Sequence, residues 1–204
     1  MKRQISIILI TIFAIFIISC KITKKDKSVE DFILTLNSYK SEVEIEIYSN
    51  KGTSKYRQLQ IYKFPDKVRI ETLEPEFLKG KVMIFNNGRF EIYHPLINQK
   101  YEGDIKVEPT FIHLGIIQTS LIKNKEYTTT YTMLDGIETI KLRLKLEGDN
   151  IYKNEAVVYF TKKDIRPLYF EIYDNSGTLR YRAKFINFEC NKDIKDDVFT
   201  IGLN

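Results

Sequence analysis

Two histidines are the residues of this 204-residue chain best suited to acid–base or metal chemistry. His94 and His113 stand nineteen residues apart, and neither belongs to a group of cysteines and carboxylates with the spacing of metal ligands. A zinc site needs about four converging ligands, which two histidines and two cysteines in the whole chain do not obviously supply. The sequence therefore predicts no metal site and no cofactor. We expect His94 to be a turn residue before Pro95, and His113 to be partly buried in a helix.

The residues that could act as nucleophiles lack the sequence motifs and the neighbouring base that nucleophilic catalysis requires. The chain contains no Gly-x-Ser-x-Gly elbow and no glycine-rich phosphate loop. Cys190 alternates with Ile186 and Phe188, which predicts a small core residue and not a nucleophile. Because no nucleophile and base form a candidate pair, we expect a binding protein and not an enzyme. Three closely spaced carboxylates alternate with apolar residues and are expected on the solvent face of one strand: Glu42, Glu44 and Glu46.

The second cysteine lies where an export signal would be processed. The first three residues carry two cations, an almost unbroken apolar run extends to Ile18, and Ser19 precedes Cys20. This run is several residues short of the about 20 apolar residues that span a bilayer, and it has the order of a secretory signal. The segment 17–20 resembles the lipobox of bacterial lipoproteins. That resemblance implies acylation of the Cys20 thiol and cleavage between Ser19 and Cys20; an uncleaved membrane anchor is the alternative.

Acylation would tie the mature protein to a lipid bilayer through Cys20, because two or three acyl chains anchor a protein stably. We expect residues 1–19 to be a lipoprotein signal peptide and residues 20–27 to be a basic tether with four lysines. Those lysines either rest on an anionic leaflet or only keep the tether solvated. Export and acylation together predict a location on the extracytoplasmic face of a bacterial membrane.

Composition and charge describe the remaining chain, residues 28–204, as one ordinary domain. Charged residues make up 29% of the chain and hydrophobic residues 43%, so it can bury a core. Removal of Lys2 and Arg3 with the signal leaves 30 cations against 27 acids. This mild excess does not indicate a nucleic-acid partner.

Residue periodicity predicts one opening helix and then strands through most of the domain. Ser28 can cap a helix of about three turns whose apolar residues recur at helical spacing. Asn87-Gly88 and Asp135-Gly136 are strong hairpin signals. The predicted strands are 43–47, 56–64, 68–73, 82–85, 89–93, 127–134, 137–146, 152–160, 168–173 and 179–190, with a short terminal strand at 198–201.

One mid-chain segment, Pro109 to Ile122, is predicted to be a helix that is apolar on nearly all sides and therefore buried on nearly all sides. The simplest arrangement lays both helices on the apolar face of one long sheet. We therefore predict an α+β fold in which a single curved antiparallel sheet, an incomplete β-barrel, is covered by two or three helices. An open sheet has unpaired edges, so we also expect that two copies can form a homodimer by strand exchange.

The order of these elements resembles the LolA/LolB group of lipoprotein carriers. Pro65 followed by residues 68–71, then Asn87-Gly88 opening a strand that ends at residues 93–95, is similar to that family's strand, hairpin and aromatic-x-Pro sequence. The likeness covers about residues 28 to 201. It implies a LolA-like half-barrel whose concave apolar face, in the carriers, holds acyl chains. Further residues fall in an order similar to the closing strands of the family: Pro167, Asp174, Gly177, Asn187 and Phe199.

Within this group, the chain resembles the germination-specific lipoproteins of clostridial spore formers, of the GerS type. That resemblance implies an extracytoplasmic partner, a cortex-modifying N-acetylmuramoyl-L-alanine amidase. The lipoprotein would bind and activate this amidase during sporulation, and its action would be needed for later germination. The resemblance also implies a location in the spore envelope. The alternative is a lipid or lipoprotein carrier with an apolar cavity beneath the mid-chain helix. The residues expected to line such a cavity, or to fill it in a pure interaction module, are Phe111, Leu114, Ile117 and Leu121.

Overall fold

The protein is built on one antiparallel sheet of eleven strands. The computed structural model describes residues 28–104, 112–123, 126–146, 148 and 150–201. The strands are β1 (Ser38–Ser49), β2 (Gly52–Lys63), β3 (Lys67–Glu74), β4 (Val82–Asn86), β5 (Arg89–His94), β6 (Gln99–Asp104), β7 (Tyr127–Leu134), β8 (Ile137–Lys145), β9 (Glu155–Thr161), β10 (Pro167–Tyr173) and β11 (Leu179–Cys190). Their order across the sheet is β6-β5-β4-β3-β2-β1-β11-β10-β9-β8-β7, so two meanders join where β1 pairs with β11. The sheet is open, with β6 and β7 at its edges.

One face of the sheet, called here the inner face, holds the main hydrophobic core. Strand β8 shows the pattern: Ile140, Leu142 and Leu144 are buried, whereas Arg143 and Lys145 are exposed. Such alternation is typical of an antiparallel sheet with one wet side. Inner-face residues of both meanders join a single cluster with residues of the two α-helices. The predicted single open antiparallel sheet is therefore confirmed.

The first helix, α1 (Val29–Leu34), is shorter than the three turns predicted. It begins as expected, because the Ser28 side chain accepts a hydrogen bond from the Asp31 N–H at 2.9 Å. It ends at Thr35, whose hydroxyl bonds back to the Asp31 carbonyl at 2.6 Å. Leu36 lies beyond the end of the helix, just before β1 begins. It still fits the apolar pattern because its side chain is fully buried in the core. The helix packs on the inner face through Val29 and Ile33.

The second helix, α2 (Gly115–Lys123), occupies only part of the predicted span. Pro109 and Phe111 lie outside the described residues, and Ile112 to Leu114 are not helical. Gly115 is buried at the start of α2, where an added Cβ would come within 2.5 Å of the Tyr62 ring. The prediction of burial on nearly all sides was wrong, since Ile122 is 52% exposed. The helix has one solvent side because nothing in the described chain covers it there.

Hairpin chemistry was predicted well, but one strand was missed. Asn87 and Gly88 have φ of 51° and 77°, and Asp135 and Gly136 have the same pair of values, as two-residue turns of the favoured hairpin type require. Strand β6 has no counterpart among the predicted strands. Its sequence, with three charged residues and a glycine in six positions, has little β propensity. Pairing with β5 along its whole length holds β6 in place.

The carboxyl-terminal segment covers part of the outer face of the sheet. A short strand was predicted at 198–201, but the chain forms a 3₁₀ helix over Asp196–Phe199. Phe199 is 1% exposed and packs with Ile61, Val82 and Ile84, a second small core on the outer face. The prediction failed because apolar outer-face residues of β2 and β4 need a cover, and this segment supplies it by packing across the strands instead of pairing with them.

Candidate functional site

A buried tyrosine fastens the segment before α2 to the inner face of the sheet. The Tyr39 hydroxyl accepts the Leu114 N–H at 3.2 Å and donates to the Gln60 side-chain carbonyl at 3.0 Å. Tyr39 is 1% exposed, and burial raises the pKa of its phenol well above the usual range. The hydroxyl is therefore protonated at neutral pH and can make both hydrogen bonds.

A second buried tyrosine links β2 to α2, and α2 is linked in turn to the segment that follows α1. The Tyr62 hydroxyl donates to the Gln118 side-chain carbonyl at 2.8 Å, and the Gln118 amide donates to the Leu36 carbonyl at 3.1 Å. Gln118 is 2% exposed and lies between the buried residues Ile117 and Leu121 of α2. A buried amide of this kind is satisfied only in one arrangement of its neighbours. It therefore fixes the position of α2 against both the sheet and α1.

His113 lies at the centre of this arrangement as a neutral imidazole. Its ring packs on Tyr62 with centroids 5.4 Å apart, and its Nδ1 accepts the Gly115 N–H at 3.2 Å. Because Nδ1 is the acceptor, Nε2 carries the proton of the neutral ring. Burial lowers the pKa of His113 from 6.5 to about 4. At neutral pH the ring packs on Tyr62 and accepts the Gly115 N–H, and it does not act as a charged group.

Three clefts on the inner face meet at Ile112. The first has a volume of about 260 Å³ and combines apolar walls with Asp66, His113 and Ser120. The second, of about 270 Å³, lies between the inner faces of β1 to β4. The third, of about 440 Å³, lies beside the turn that joins β1 to β2 and includes Tyr152. Ligand pockets commonly have volumes of about 300 to 1,000 Å³, so the third cleft has room for part of a small apolar ligand.

Cations stand beside the apolar wall of the third cleft. Ile47, Ile112 and Ile172 form part of that wall, and Lys51 and Arg180 stand beside them. The Arg180 guanidinium is already engaged, since its Nε lies 2.6 Å from an Asp174 carboxylate oxygen and the group lies over the Tyr152 ring at 5.6 Å. Chemically, this arrangement suits an apolar chain with an anionic end. It offers no nucleophile paired with a base.

The residues predicted for a cavity lie in the packed core. Leu114 and Ile117 are 0% exposed and Leu121 is 3% exposed, and all three belong to the main cluster. The residues of this region that line the first cleft are different ones, Ile112 and Ile116 among them. Phe111 lies outside the described residues, as do the predicted lipidation site Cys20 and its neighbour Ser19, so the lipidation and cleavage sites stay predictions.

Cys190 lies against the core on the same face as Phe188, as predicted, but Ile186 is on the opposite face. Asn187 has a φ of 52°, and the pairing of β1 with β11 shifts register at this point. This β-bulge reverses the alternation. Phe185, Phe188 and Cys190 therefore pack together on the inner face, whereas Ile186 pairs opposite Glu42 on the outer face.

The three glutamates of β1 lie on the outer face, as the alternation predicted, and each of them forms an ion pair there. Glu46 lies 2.8 Å from Lys55, an exposed pair of the kind that contributes little to stability. Sequence reasoning missed a buried ion pair on the same face: Glu171 is 3% exposed and accepts hydrogen bonds from Arg182 at 2.8 Å and Tyr173 at 2.6 Å. The only available signal was a lone acid inside the otherwise apolar and aromatic run of β10.

Neither helix of the described chain has the length and apolar character needed to cross a bilayer. In the same part of the chain, no group of three or more histidines, cysteines and carboxylates could hold a metal ion. The fold and its clefts together define an open antiparallel sheet with helices packed on its inner face, which is a scaffold suited to binding.

The chain belongs to the YdcC-like sporulation protein family, whose model matches residues 1–199. Among curated proteins, none matches the chain. A protein of unknown function from Thermus thermophilus has a similar structure, with a TM-score of 0.55 and 16% identity over 84% of this chain and 90% of that one. This likeness concerns the fold.

A chain in the structure of the CwlD amidase from Clostridioides difficile in complex with the GerS lipoprotein is also similar, with a TM-score of 0.50. The two share 25% identity over 82% of this chain and 96% of that one. The LolA superfamily protein NE2245 from Nitrosomonas europaea is a further structural neighbour, with a TM-score of 0.43 and 14% identity over 86% of this chain and 99% of that one. The sporulation family and the GerS complex confirm the resemblance that the sequence predicted.

Proposed function

We propose that this protein is a membrane-anchored lipoprotein that binds and activates an extracytoplasmic amidase during sporulation. The observation that supports the partner is the likeness to the CwlD–GerS complex, at 25% identity over 96% of the matched chain. Membership of a sporulation family supports the timing. The proposed role is one of binding, and the likeness to a chain of a protein–protein complex supports it.

Packing of the inner face supports an interaction module. The helix residues that an interaction module would use to fill the cavity, Ile117 and Leu121, are in the closed core. Gln118 and the two buried tyrosines then hold α2 in one position. A domain whose helix is held in one position presents its outer surface, loops and strand edges to a partner without first having to order them, which lowers the cost of binding.

The proposed attachment is through acyl chains on Cys20, after removal of residues 1–19. This anchor would hold the domain on the extracytoplasmic face of the membrane, and in the spore envelope once the spore forms. Two copies at one membrane surface would meet often. A homodimer formed by strand exchange is compatible with the open sheet, because each edge strand, β6 or β7, pairs with only one other strand among the described residues.

A lipid or lipoprotein carrier is the second candidate, and the three clefts at Ile112 favour it. The third cleft, with apolar walls and neighbouring cations, would accept an acyl chain with an anionic end. Its volume of about 440 Å³ is at the small end of ligand pockets. A carrier of this kind would bind only part of a long acyl chain within the described clefts.

Co-purification distinguishes the two candidates. The full chain, tagged at its carboxyl end and purified gently from sporulating cells, should retain an N-acetylmuramoyl-L-alanine amidase, detected by mass spectrometry. The recovered amidase should hydrolyse cortex peptidoglycan faster with the chain than without it. Native mass spectrometry of the same sample reports any bound lipid. Retained acyl ligand without an amidase would favour the carrier, and recovery of neither would contradict both candidates.

A further inference from the structure

Large apolar side chains are exposed in the loops at one end of the sheet. This end, called here the rim end, is where β1 ends and β2 begins. The loops that join β3 to β4, β5 to β6 and β8 to β9 all lie there. In the described chain, no loop at the opposite end has a large apolar side chain that is more than half exposed. The side chains that are more than half exposed in the rim-end loops are Phe77, Leu96, Ile97, Ile151 and Tyr152.

The three loops form one continuous surface. An added Cβ at Gly80, in the first loop, would come within 3.1 Å of Pro95 in the second, so these two loops touch. The second cleft of the inner face extends from Leu78 to Ile47, and the third extends from Ile47 to Tyr152. Ile47 is itself exposed and therefore connects the first two loops to the last. Together these exposed residues are called here the apolar rim: Ile47, Phe77, Leu96, Ile97, Ile151 and Tyr152.

The first helix begins at the same end of the sheet. Tyr127, the first residue of β7, lies at the rim end, and its hydroxyl donates to the Glu30 carboxylate in the first turn of α1. Further along α1, Phe32 packs on Phe160 toward the opposite end of the sheet, with ring centroids 5.7 Å apart. The helix therefore runs away from the rim end. Ser28, which caps α1 and follows the basic tether, is at the rim end.

A lipid bilayer is the partner that this arrangement fits. Large exposed apolar patches mark contacts with proteins or membranes. The basic tether has eight residues and spans at most about 27 Å, so an anchor at Cys20 keeps the rim end, where the tether joins, close to the membrane. The opposite end is farther away by the length of the strands. Of the two ends of the sheet, the one with exposed apolar loops is therefore the one that an anchored domain turns toward the bilayer.

Apolar burial, and not charge, would hold the rim on the membrane. The cations of the rim loops have acidic partners, since Lys79 lies 3.3 Å from Glu76 and Arg180 lies 2.6 Å from Asp174. Leucine and isoleucine side chains beside a tyrosine are typical of the boundary between lipid headgroups and acyl chains. A contact of this kind is expected to be insensitive to salt.

We propose that the apolar rim is a membrane-contact surface, which enters the interfacial layer of the bilayer and fixes the orientation of the anchored domain. This inference rests on the membrane attachment in the proposed function, and it does not depend on an amidase partner. The rim gives the domain a second point of attachment besides the acylated tether. The opposite end of the sheet, with the turns that join β2 to β3 and β7 to β8, then faces away from the membrane.

Single tryptophans test the orientation directly, because the chain contains no tryptophan of its own. Leu96→Trp and Tyr152→Trp place a reporter in each half of the rim. Phe64→Trp and Ile137→Trp are matched controls at exposed positions of the opposite end. The full chain, processed in the cell, is purified and reconstituted without an amidase into vesicles of phosphatidylcholine and phosphatidylglycerol. Each variant is compared in these vesicles and in vesicles with brominated acyl chains, since bromine quenches tryptophan emission only at close range.

The two rim reporters should lose at least about half of their emission in brominated vesicles and the two controls less than about a tenth, because interfacial side chains lie only about 5 to 10 Å deep. High salt should leave this difference unchanged. A chain that floats with the vesicles but shows equal quenching at all four positions, or none at any, would overturn this inference alone. A chain that does not float would contradict the membrane attachment of the proposed function as well. Rim reporters that are unquenched in vesicles but change emission when the amidase is added would assign the rim to the enzyme and overturn the inference.

A charged substitution tests whether the apolar character of the rim is required. Leu96→Glu changes an exposed side chain, so the melting temperature should stay the same, but a carboxylate opposes entry into the bilayer. In a chain that carries Phe77→Trp as the reporter, Leu96→Glu should reduce the quenching at least about twofold, whereas Ile137→Glu at the opposite end should not change it. Full quenching in a normally folded Leu96→Glu variant would contradict the proposed contact.

Discussion

At the scale of single residues, the buried imidazole of His113 makes stability depend on pH. The folded protein keeps this ring neutral with a pKa of about 4, compared with 6.5 for an ordinary histidine. Between those two values the unfolded chain binds a proton that the folded chain does not. His113 therefore has no effect on the free energy of unfolding above pH 6.5. As the pH falls from 6.5 toward 4, its preference for the unfolded state destabilises the fold progressively.

This linkage predicts that His113 makes the free energy of unfolding fall measurably as the pH is lowered. Between pH 7 and pH 4 the free energy of unfolding should fall by about 3 kcal/mol on account of this residue, because each pKa unit is worth about 1.4 kcal/mol. His113→Gln keeps an acceptor near the Gly115 N–H and removes the titration. In urea unfolding at several pH values, its slope should be smaller than that of the parent by this amount. His94→Gln is the control, and it should keep the steep slope because His113 is intact.

A variant slope equal to that of the parent would show that His113 is not the residue responsible. Carboxylates also contribute to acid sensitivity. Hydrogen bonds from Ser176, Thr178 and Arg180 hold the pKa of Asp174 well below its usual range, so protonation of Asp174 at low pH also destabilises the fold. The comparison between histidine variants removes this common background.

At the scale of elements, the carboxyl-terminal 3₁₀ helix is expected to stabilise the outer face of β2, β3 and β4. Phe199→Ala should lower the free energy of unfolding by about 3 to 5 kcal/mol, the cost of removing a large buried aromatic side chain. Phe77→Ala is the matched control, since Phe77 is 69% exposed and the change should cost less than about 0.5 kcal/mol. Urea unfolding measures both, and equal effects would contradict the role of the segment as a cover.

Hydrogen exchange locates the effect of the same variant. Lys63 and Lys67 lie 2.7 Å and 3.0 Å from the Asp196 carboxylate, and Arg69 donates to the Val198 carbonyl at 3.3 Å. These contacts join the terminal segment to β2 and β3. Loss of Phe199 should therefore raise exchange in β2 to β4 before it does so in β8 to β10.

Most strands could be predicted from the sequence because their signals are local. Alternation in β8 and the Asp135-Gly136 turn each depend on a few adjacent residues, and both were predicted correctly. Three other features could not be predicted, because each depends on residues that are distant in the sequence. Strand β6 exists because β5 pairs with it, the terminal segment follows the outer face of β2 to β4, and the Asn187 bulge depends on the register with β1.

The sequence did not predict which residues line the clefts of the inner face. Apolar periodicity identified α2 as a buried element, and Leu114, Ile117 and Leu121 do lie in the core. Periodicity cannot distinguish a residue that fills a core from one that lines a cleft, since both face inward. The first cleft is instead lined by Ile112, Ile116 and polar residues on neighbouring segments. These lining residues come together because Tyr39 and Tyr62 hold α2 and the segment before it on the sheet.

At the scale of the whole molecule, attachment to a membrane is the property that the sequence predicts most specifically. Cys20→Ala should prevent acylation, so the protein should move from the membrane fraction to the soluble fraction or accumulate as an unprocessed precursor. Cell fractionation and mass spectrometry of the amino terminus measure both outcomes. Cys190→Ala is the matched control and should remain attached, because this cysteine lies against the core. Unchanged retention and normal trimming of Cys20→Ala would refute the lipobox.

The docking of α1 on the inner face limits how far an acylated copy could range. The described domain begins at Ser28, immediately before α1, and eight residues separate it from the end of the signal segment. Eight residues span at most about 27 Å when fully extended. The tether, residues 20–27, is therefore shorter than the width of a typical domain. With an acyl anchor on Cys20, an enzyme bound by the domain would work close to the bilayer, and a longer tether would extend its reach from the membrane without altering any contact in the described fold.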